Sequence, residues 1–218
     1  MNVIRSVKRP LKEVDYGFVG DVEEVNPKII YDLLEKDFLP IICPIGFDED
    51  FLSYNINADD AACAIATAVE AEKLEKVLEA GHNAPTAHNL QPQRILVMQS
   101  KEALEKAEEC TACKFHAPVI LVVAYDPTKA WNREGDMKNH GEIDATIAAT
   151  QMMLQAADLG LGTCYVGMFS QEKLHETFPE MKGLVATAML PLGYPAETAH
   201  PSRLHADRMP IDEMVVRL

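Results

Sequence analysis

Basic residues are scarce in this sequence, which has 20 lysines and arginines against 34 aspartates and glutamates and a formal net charge of −14. Because binding to nucleic-acid phosphates needs clustered Lys and Arg, this balance argues against nucleic acid as a partner. The sequence also lacks an apolar run of the roughly 18 residues that span a bilayer. Its N-terminus, MNVIRSVKRP, has no apolar middle segment of a signal peptide. We therefore expect a cytoplasmic protein with no membrane partner.

Cysteines are few, and they are odd in number and scattered: Cys43, Cys63, Cys110, Cys113 and Cys164. Such a set is typical of reduced thiols rather than of a disulfide framework. Cys110 and Cys113, with His116 nearby, have the spacing of half a zinc site or of a redox pair. However, a second ligand pair is missing and no strand leads directly into the motif. We therefore expect no bound metal.

The C-terminal two thirds of the sequence carries the pattern of an α+β domain. Continuous apolar runs at residues 95–98 and 119–125 predict strands that are covered on both faces, and residues 184–192 predict another core strand. Residues 142–159 predict a helix with so little polar face that it should be buried nearly all round. A shorter helix is predicted at residues 171–177.

Several single residues mark where the predicted helices begin and end. Asp144 lies in the first turn of the 142–159 helix, where a negative charge is favourable, and Gly160-Leu-Gly162 ends that helix. Residues 73–81 predict the end of an earlier helix, with Gly81 as its C-cap. Residues 163–167 then predict a short strand or an extended turn.

The N-terminal third predicts a piece of an α/β domain. A helix begins at Asn26-Pro27, with Pro at the first helical position. Residues 39–45 predict a buried strand interrupted by Pro40 and Pro44, and residues 59–69 predict an alanine-rich helix. These elements provide too few strands to stand alone, so we expect this segment to pack on something else.

A polar loop follows the helix that ends near Gly81: Ala84-Pro-Thr-Ala-His-Asn-Leu-Gln-Pro92. Its two prolines limit its freedom, and its Asn and Gln amides can both donate and accept hydrogen bonds. Such amides suit the edge of a flat heterocycle that alternates carbonyl oxygens with N–H groups. On composition alone, the favoured interpretation is an ordinary loop whose amides satisfy their own backbone.

A family resemblance changes that balance. The polar loop resembles the flavin loop of the nitroreductase family, and three further motifs follow in the family's order. Gly141-Glu-Ile-Asp-Ala-Thr-Ile and Leu159-Gly-Leu-Gly-Thr-Cys-Tyr-Val-Gly167 are similar to its central dimer helix and the turn after it. Leu190-Pro-Leu-Gly-Tyr-Pro195, with the later Arg208, is similar to its closing strand and tail. The resemblance implies an α+β fold, a mixed sheet flanked by helices, in a homodimer.

The resemblance also implies a cofactor and the residues that bind it. Thr86 and Asn89 would contact FMN, and Gln91 would shape the loop. Gly167, or the amide of Met168, would lie near the flavin N5 atom. Arg208 matches the family's phosphate-binding arginine, but the lysine that often follows it is Met209 here, which weakens phosphate affinity in an acidic chain.

A short N-terminal segment resembles another flavin-contacting stretch of the same family. In Ile4-Arg-Ser-Val-Lys8, Arg5, Ser6 and Lys8 match the family's Arg-Arg-Ser-x-Arg segment, while Ile4 replaces the first arginine. The match implies contacts with the phosphate, the ribityl chain and the N1/O2 edge. Lys8 would then offset the negative charge that develops on reduced flavin.

The N-terminal third resembles a different family. Asp15-Tyr-Gly-Phe-Val-Gly-Asp-Val-Glu-Glu-Val-Asn-Pro27 and Tyr54-Asn-Ile-Asn-Ala-Asp59 are similar to an internal stretch of acetylglutamate kinase. The match places Asn55 and Asp59 at that family's acyl-amino-acid and phosphoryl-transfer site. A glycine-rich phosphate loop with its lysine and an ATP-binding half are missing, so we expect no kinase activity. The predicted domains are residues 1–73, kinase-like and either an insertion into or a replacement of the usual nitroreductase N-terminus, and residues 74–218, a nitroreductase-like FMN-binding domain.

Three hypotheses follow. The first is an FMN-dependent oxidoreductase that passes hydride from NADH or NADPH to a small acceptor such as a nitroaromatic or a quinone. The second is a degenerate flavoprotein, or a module that senses a small molecule, with no turnover. The third is a scaffold dimer without a ligand. The four ordered motifs favour the first.

Overall fold

The computed structural model describes residues 3–10, 16–34, 36–113 and 115–217. Asp15, where the kinase-like stretch begins, lies outside the described residues. The chain divides into two compact units, Met1–Asn83 (unit 1) and Ala84–Leu218 (unit 2). The described part of the chain mixes helices and strands in both units, so the predicted α+β class is confirmed. No helix in these ranges is long and apolar enough to cross a membrane.

Unit 1 contains a four-stranded sheet in the order β2-β1-β3-β4. β1 pairs antiparallel with β2 and parallel with β3, and β3 pairs antiparallel with β4. The strands are β1 (Ile4–Lys8), β2 (Gly20–Val25), β3 (Ile45–Phe47) and β4 (Ser53–Asn55). The parallel pairing of β1 and β3 gives the segment its α/β character, because the chain passes through a helix between them.

Two helices complete unit 1. α1 (Pro27–Leu34) begins at a proline, as predicted, and the side-chain oxygen of Asn26 accepts a hydrogen bond from the Lys28 N–H at 3.2 Å. α2 (Ala58–His82) joins the two helices predicted at 59–69 and 73–81. It runs without a break through the predicted domain boundary at residue 73. Gly81 lies inside α2, and Asn83 is the C-cap, so the predicted cap was wrong by two residues.

The buried strand predicted at residues 39–45 was wrong. Only β3 is a strand there, and the preceding residues are irregular, with Leu39 84% and Ile41 87% exposed. Pro40 and Pro44 have no N–H to donate to a neighbouring strand, which accounts for the irregular backbone. Most of the apolar side chains that suggested a core strand are therefore exposed in unit 1, although Ile42 packs against its core cluster.

Unit 2 is built on an antiparallel sheet in the order β5-β6-β8-β7. Its strands are β5 (Gln93–Met98), β6 (Val119–Tyr125), β7 (Gly162–Thr163) and β8 (Val185–Gly193). β6 is central, and its residues 120–124 are buried, as predicted. β5 is mostly half-buried because it lies at the edge of the sheet, so the prediction that both of its faces are covered was wrong.

Four helices accompany this sheet among the described residues: α3 (Lys101–Cys110), α4 (Gly141–Asp158), α5 (Gln171–Thr177) and α6 (Ile211–Met214). α4 packs on the sheet through buried residues such as Ala145, Ala149 and Met152. Its other face is open, with Ile143 38% and Leu154 67% exposed. The prediction of a helix buried nearly all round was therefore wrong for the single chain, because the described residues leave one face of α4 exposed.

Candidate functional site

The polar loop of residues 84–92, called the amide loop below, leads from α2 into β5. A short 3₁₀ turn, Ala87–Asn89, forms its centre. The Thr86 carbonyl accepts a hydrogen bond from the Asn89 N–H at 2.9 Å, and the Thr86 hydroxyl accepts one from the Gln91 N–H at 3.1 Å. These bonds close the loop on itself, so Thr86 holds the backbone of Asn89 and Gln91, the other two predicted flavin residues of this loop.

Three residues of the amide loop have left-handed backbone conformations: His88 (φ 53°), Asn89 (φ 56°) and Gln91 (φ 50°). This conformation costs an L-residue roughly 1–2 kcal/mol, less for Asn, because the Cβ atom approaches the following carbonyl. Such strain persists only where the surroundings hold the backbone in place, and it clusters at ligand-binding sites. The contacts that hold this loop are therefore part of the site.

Asp144, in the first turn of α4, provides one of those contacts. Its Oδ1 atom accepts a hydrogen bond from the Ala87 N–H at 3.0 Å, across 57 residues of sequence. Asp144 is only 2% exposed, and its Oδ2 atom has no partner in the described part of the chain. The sequence showed an acid at a helix N-terminus but gave no signal that it pairs with the amide loop.

A row of three tilted aromatic rings provides the second contact. The His88 ring lies 5.0 Å from the Trp131 ring, centroid to centroid, and Trp131 lies 4.7 Å from the ring of His140. His140 is the N-cap residue of α4, so the row of rings ends beside the helix that carries Asp144. Neither Trp131 nor His140 was predicted as a site residue, because no local pattern links them to the loop.

The amide side chains of the loop face outward. Asn89 and Gln91 are both exposed, and the Gln91 Nε2 atom donates to the Asn89 carbonyl at 3.1 Å. The Asn89 amide makes no hydrogen bond within the described ranges of the chain. It can therefore both donate to and accept from a ligand at the loop surface.

The turn at Gly167 lies between β7 and α5. Val166 fixes it to the sheet, because Val166 and Met189 exchange two backbone hydrogen bonds of 3.0 Å. A Cβ atom at Gly167 would meet no other atom within 4 Å, so the space above this glycine is open. Met168 is 63% exposed, while its carbonyl accepts a hydrogen bond from the Thr111 hydroxyl at 2.6 Å. The backbone at Gly167 is therefore accessible to a ligand, while the hydrogen bonds of Val166 to β8 hold the turn in place.

Arg208 lies in the exposed C-terminal tail, in irregular backbone shortly before α6. Its Nη1 atom donates to the carbonyls of Leu204 at 3.2 Å and Asp207 at 2.8 Å. A guanidinium has five N–H donors, so further donors remain for a phosphate. Its predicted contact with a phosphate group stays a prediction.

The other three predicted flavin residues lie on β1 of unit 1. Arg5 is engaged by carboxylates, with 2.7 Å from its Nε atom to Glu23 and 2.7 Å from its Nη2 atom to Glu49. Ser6 is fully buried, and a Cβ atom on Gly46 would come within 2.6 Å of it. The flavin contacts of Arg5, Ser6 and Lys8 stay predictions, and these surroundings do not favour the first two.

Two thiols and one phenol of unit 2 have raised pKa values. Burial raises the pKa of the Cys110 thiol, and partial desolvation raises the pKa of the Cys164 thiol even though that residue is exposed overall, so both stay protonated at neutral pH. Burial also raises the pKa of Tyr125, and the nearby Glu142 carboxylate adds to that shift. Within the described ranges, no three His, Cys, Asp or Glu side chains are grouped to hold a metal ion.

Comparison with known proteins identifies the family. The sequence model of the nitroreductase family matches residues 66–115 and 112–194, which together span more than half of the chain. The chain belongs to the nitroreductase family. A nitroreductase family protein from Clostridium difficile 630 is 37% identical, with 66% of this chain and 84% of that chain covered and a TM-score of 0.61.

A second solved structure, an FMN-dependent nitroreductase from Clostridium difficile R20291, is 24% identical. It covers 67% of this chain and 86% of its own, with a TM-score of 0.54, and supports the fold of this nitroreductase-family chain. Four of the predicted motifs, from the amide loop to residue 194, lie inside the family match or at its end. Arg208 lies beyond it.

The N-terminal part of this nitroreductase-family chain matches a second family. The amino acid kinase family model covers residues 3–79, starting earlier than the predicted kinase-like stretch and including all of β1. An acetylglutamate kinase from Campylobacter jejuni subsp. doylei is 68% identical over 63 residues, which are 29% of this chain and 23% of that kinase. The chain therefore spans less than a quarter of the kinase.

The Asn-Ile-Asn-Ala-Asp motif of the kinase-like segment has a structural role in unit 1. The side-chain oxygen of Asn57 accepts hydrogen bonds from the N–H groups of Asp59 at 2.9 Å and Asp60 at 3.2 Å. Asn57, the second asparagine of the motif, thus caps α2 at its N-terminus. Asn55 and Asp59 are both exposed.

Proposed function

We propose that this chain is an FMN-dependent oxidoreductase that takes hydride from NADH or NADPH and delivers it to a small acceptor such as a nitroaromatic or a quinone. Family membership supports this proposal at the level of the fold and the chemistry. FMN dependence is stated in the name of the similar Clostridium difficile R20291 enzyme. The amide loop is the observation on this chain that carries the proposal.

The amide loop fits the pyrimidine edge of a flavin. That edge alternates carbonyl oxygens with an N–H group, and an exposed Asn89 amide satisfies both kinds of group. The loop is strained yet closed by its own hydrogen bonds, so little freedom is left to lose when a ligand binds. A rigid edge of this kind is costly for an ordinary surface loop and useful for a flat ligand.

The remaining predicted residues would complete the site. Thr86 would hold the loop against the ring, and the open backbone at Gly167 and Met168 would face the ring's reactive atom. Arg208 would bind the phosphate with its unused guanidinium donors. Bound FMN would accept hydride directly from the nicotinamide, so the first half of the reaction needs no acid or base from the protein.

The protein's own contribution is therefore orientation and electrostatics. The loop fixes the plane in which a ring lies, which sets the face that a nicotinamide can approach. Backbone N–H groups beside a ring stabilise the negative charge that develops on reduction. An open Gly167 admits a flat donor or acceptor without a steric clash.

We also propose that the chain works as a homodimer through α4. Ile143 and Leu154 are apolar and exposed on a helix whose other face is core, a pattern that a second copy would cover. Sedimentation velocity tests this step: a dimer is expected for the full chain, and Leu154→Lys should shift it toward monomer. A monomeric wild-type chain would contradict the dimer.

An absorbance spectrum of the purified full chain tests the proposed function. Flavin bands, or their appearance with quenched fluorescence on FMN addition, are expected. NADH or NADPH oxidation with menadione or nitrofurazone as acceptor should then depend on FMN. A chain that is colourless and stays so at high FMN concentration would overturn the proposal.

Variants of the amide loop sharpen this test. Asn89→Ala removes the free amide and is expected to weaken FMN binding by roughly tenfold, the loss of about one hydrogen bond. Leu90→Ala, in the same loop and 47% exposed, is the matched control and should leave FMN binding unchanged. Equal losses in both variants would indicate a general loop effect and argue against ring recognition by Asn89.

A further inference from the structure

The carboxylate of Asp144 is buried at a cost. The side chain is only 2% exposed, and its Oδ2 atom lacks a hydrogen-bond partner in the described part of the chain. Burying a charge is unfavourable unless it is paired and fully hydrogen-bonded. The first turn of α4 offsets part of this cost through the helix dipole. An apolar side chain at this position would give a more stable fold, so stability alone does not account for the carboxylate.

The only hydrogen bond that this carboxylate makes among the described residues goes to the amide loop. Its Oδ1 atom accepts from the Ala87 N–H at 3.0 Å, and Ala87 directly precedes the left-handed pair His88 and Asn89. The other loop-closing bonds, which Thr86 accepts from the Asn89 and Gln91 N–H groups, are local to the loop. The hydrogen bond to Asp144 therefore connects the strained segment to a core helix.

Resting on the proposed function, we propose that Asp144 is a positioning residue that holds the amide loop in its ligand-ready conformation. It acts through the Ala87 N–H and touches no reacting atom. Without it, the loop relaxes out of its left-handed conformation, and the ligand must then restore that conformation when it binds. The apparent affinity for FMN then falls in proportion to the fraction of molecules whose loop has the binding conformation.

Three variants test this role. Asp144→Ala removes the acceptor and is expected to weaken FMN binding by roughly 10- to 100-fold, the effect of a lost hydrogen bond to a charged group. Asp144→Asn keeps an acceptor oxygen and should stay within about fivefold of wild type. Met152→Ala, at a fully buried position on the same helix, is the control for destabilised α4. It should lower Tm and leave FMN affinity unchanged.

Hydrogen exchange in the protein without flavin separates this role from the function proposed above. Asp144→Ala should speed exchange of the Ala87 amide at least tenfold relative to amides of β6, while Asp144→Asn and Met152→Ala should not. If wild type binds no FMN, the proposed function fails, but this readout still decides the hold of Asp144 on the loop. Unchanged exchange in Asp144→Ala, or an equal loss of FMN affinity in Met152→Ala, would overturn the proposal.

Discussion

Gly141 is the first residue of α4, and the ring of Tyr125 fills the space where a side chain would be. A Cβ atom at Gly141 would lie 2.0 Å from the Tyr125 Cδ2 atom and 2.4 Å from its Cε2 atom. Such distances are far inside van der Waals contact, so in Gly141→Ala either the ring or the start of the helix must move. We expect this variant to be strongly destabilising for a one-carbon change.

The magnitude follows from the size of the clash. Overpacking a core by one methyl group costs about 1–3 kcal/mol, and contact at 2.0 Å with ring carbons puts Gly141→Ala at the upper end. The higher helix propensity of Ala over Gly stabilises the fold by up to about 1 kcal/mol. The net loss is about 2 kcal/mol, which lowers Tm by roughly 4–8 °C in a chain of this size.

A double-mutant cycle with Tyr125→Ala isolates the cause. Once the ring is gone, Gly141→Ala should cost nothing or stabilise slightly, which gives a coupling energy of about 2–3 kcal/mol. Urea unfolding of the four proteins without flavin, followed by circular dichroism, measures it. If Gly141→Ala costs the same with and without the tyrosine ring, the steric explanation is refuted.

Two further predictions concern glycine conformation and acid stability. Gly160→Ala should lower the free energy of unfolding by about 1 kcal/mol, because Gly160 has φ +74°. Gly167→Ala, in open space, should leave Tm unchanged and weaken FMN binding; equal Tm losses in the two variants would contradict this. A hydrogen bond from Thr128 lowers the pKa of Asp126 below its ordinary 3.8, so Asp126 stabilises the fold above that pH and loses this contribution as the pH falls. Tm measured from pH 6 to 3 should therefore fall less steeply in Asp126→Asn than in wild type, and parallel curves would contradict the assignment.

Elements with strong local signals were predictable from the sequence. The apolar run 119–125 became the buried centre of the unit 2 sheet, and α5 has its predicted bounds. The Gly160 stop for α4 is confirmed by its left-handed φ and by the Leu161 N–H, which donates to the Ala156 carbonyl at 2.8 Å. The start and end of α5 and the Gly160 stop depend on residues close together in sequence. β6 pairs with the distant strands β5 and β8, but its unbroken apolar run already indicates a strand covered on both faces.

The contacts that hold the candidate site were not predictable, because they join distant residues. Asp144 and Ala87 are separated by 57 residues, and the His88 ring meets Trp131 only through the fold of unit 2. The predicted strand at residues 39–45 was wrong both because Pro40 and Pro44 cannot donate to a neighbouring strand and because no local pattern shows whether its apolar residues are covered. Its apolar residues indicate burial, but burial needs a partner surface, and Ile41 lies 87% exposed in unit 1.

The helix α2 shows why the border between the two family resemblances is hard to place. The amino acid kinase match ends at residue 79 and the nitroreductase match begins at residue 66, so both include the middle of α2. A helix tolerates such sharing, because any sequence with helical propensity and suitable spacing continues the same hydrogen-bond ladder. α2 begins at its N-cap Asn57, which belongs to the kinase-like motif, and ends at its C-cap Asn83, just before the amide loop. The overlap of the two matches at residues 66–79 therefore falls where one uninterrupted helix serves both sequence patterns.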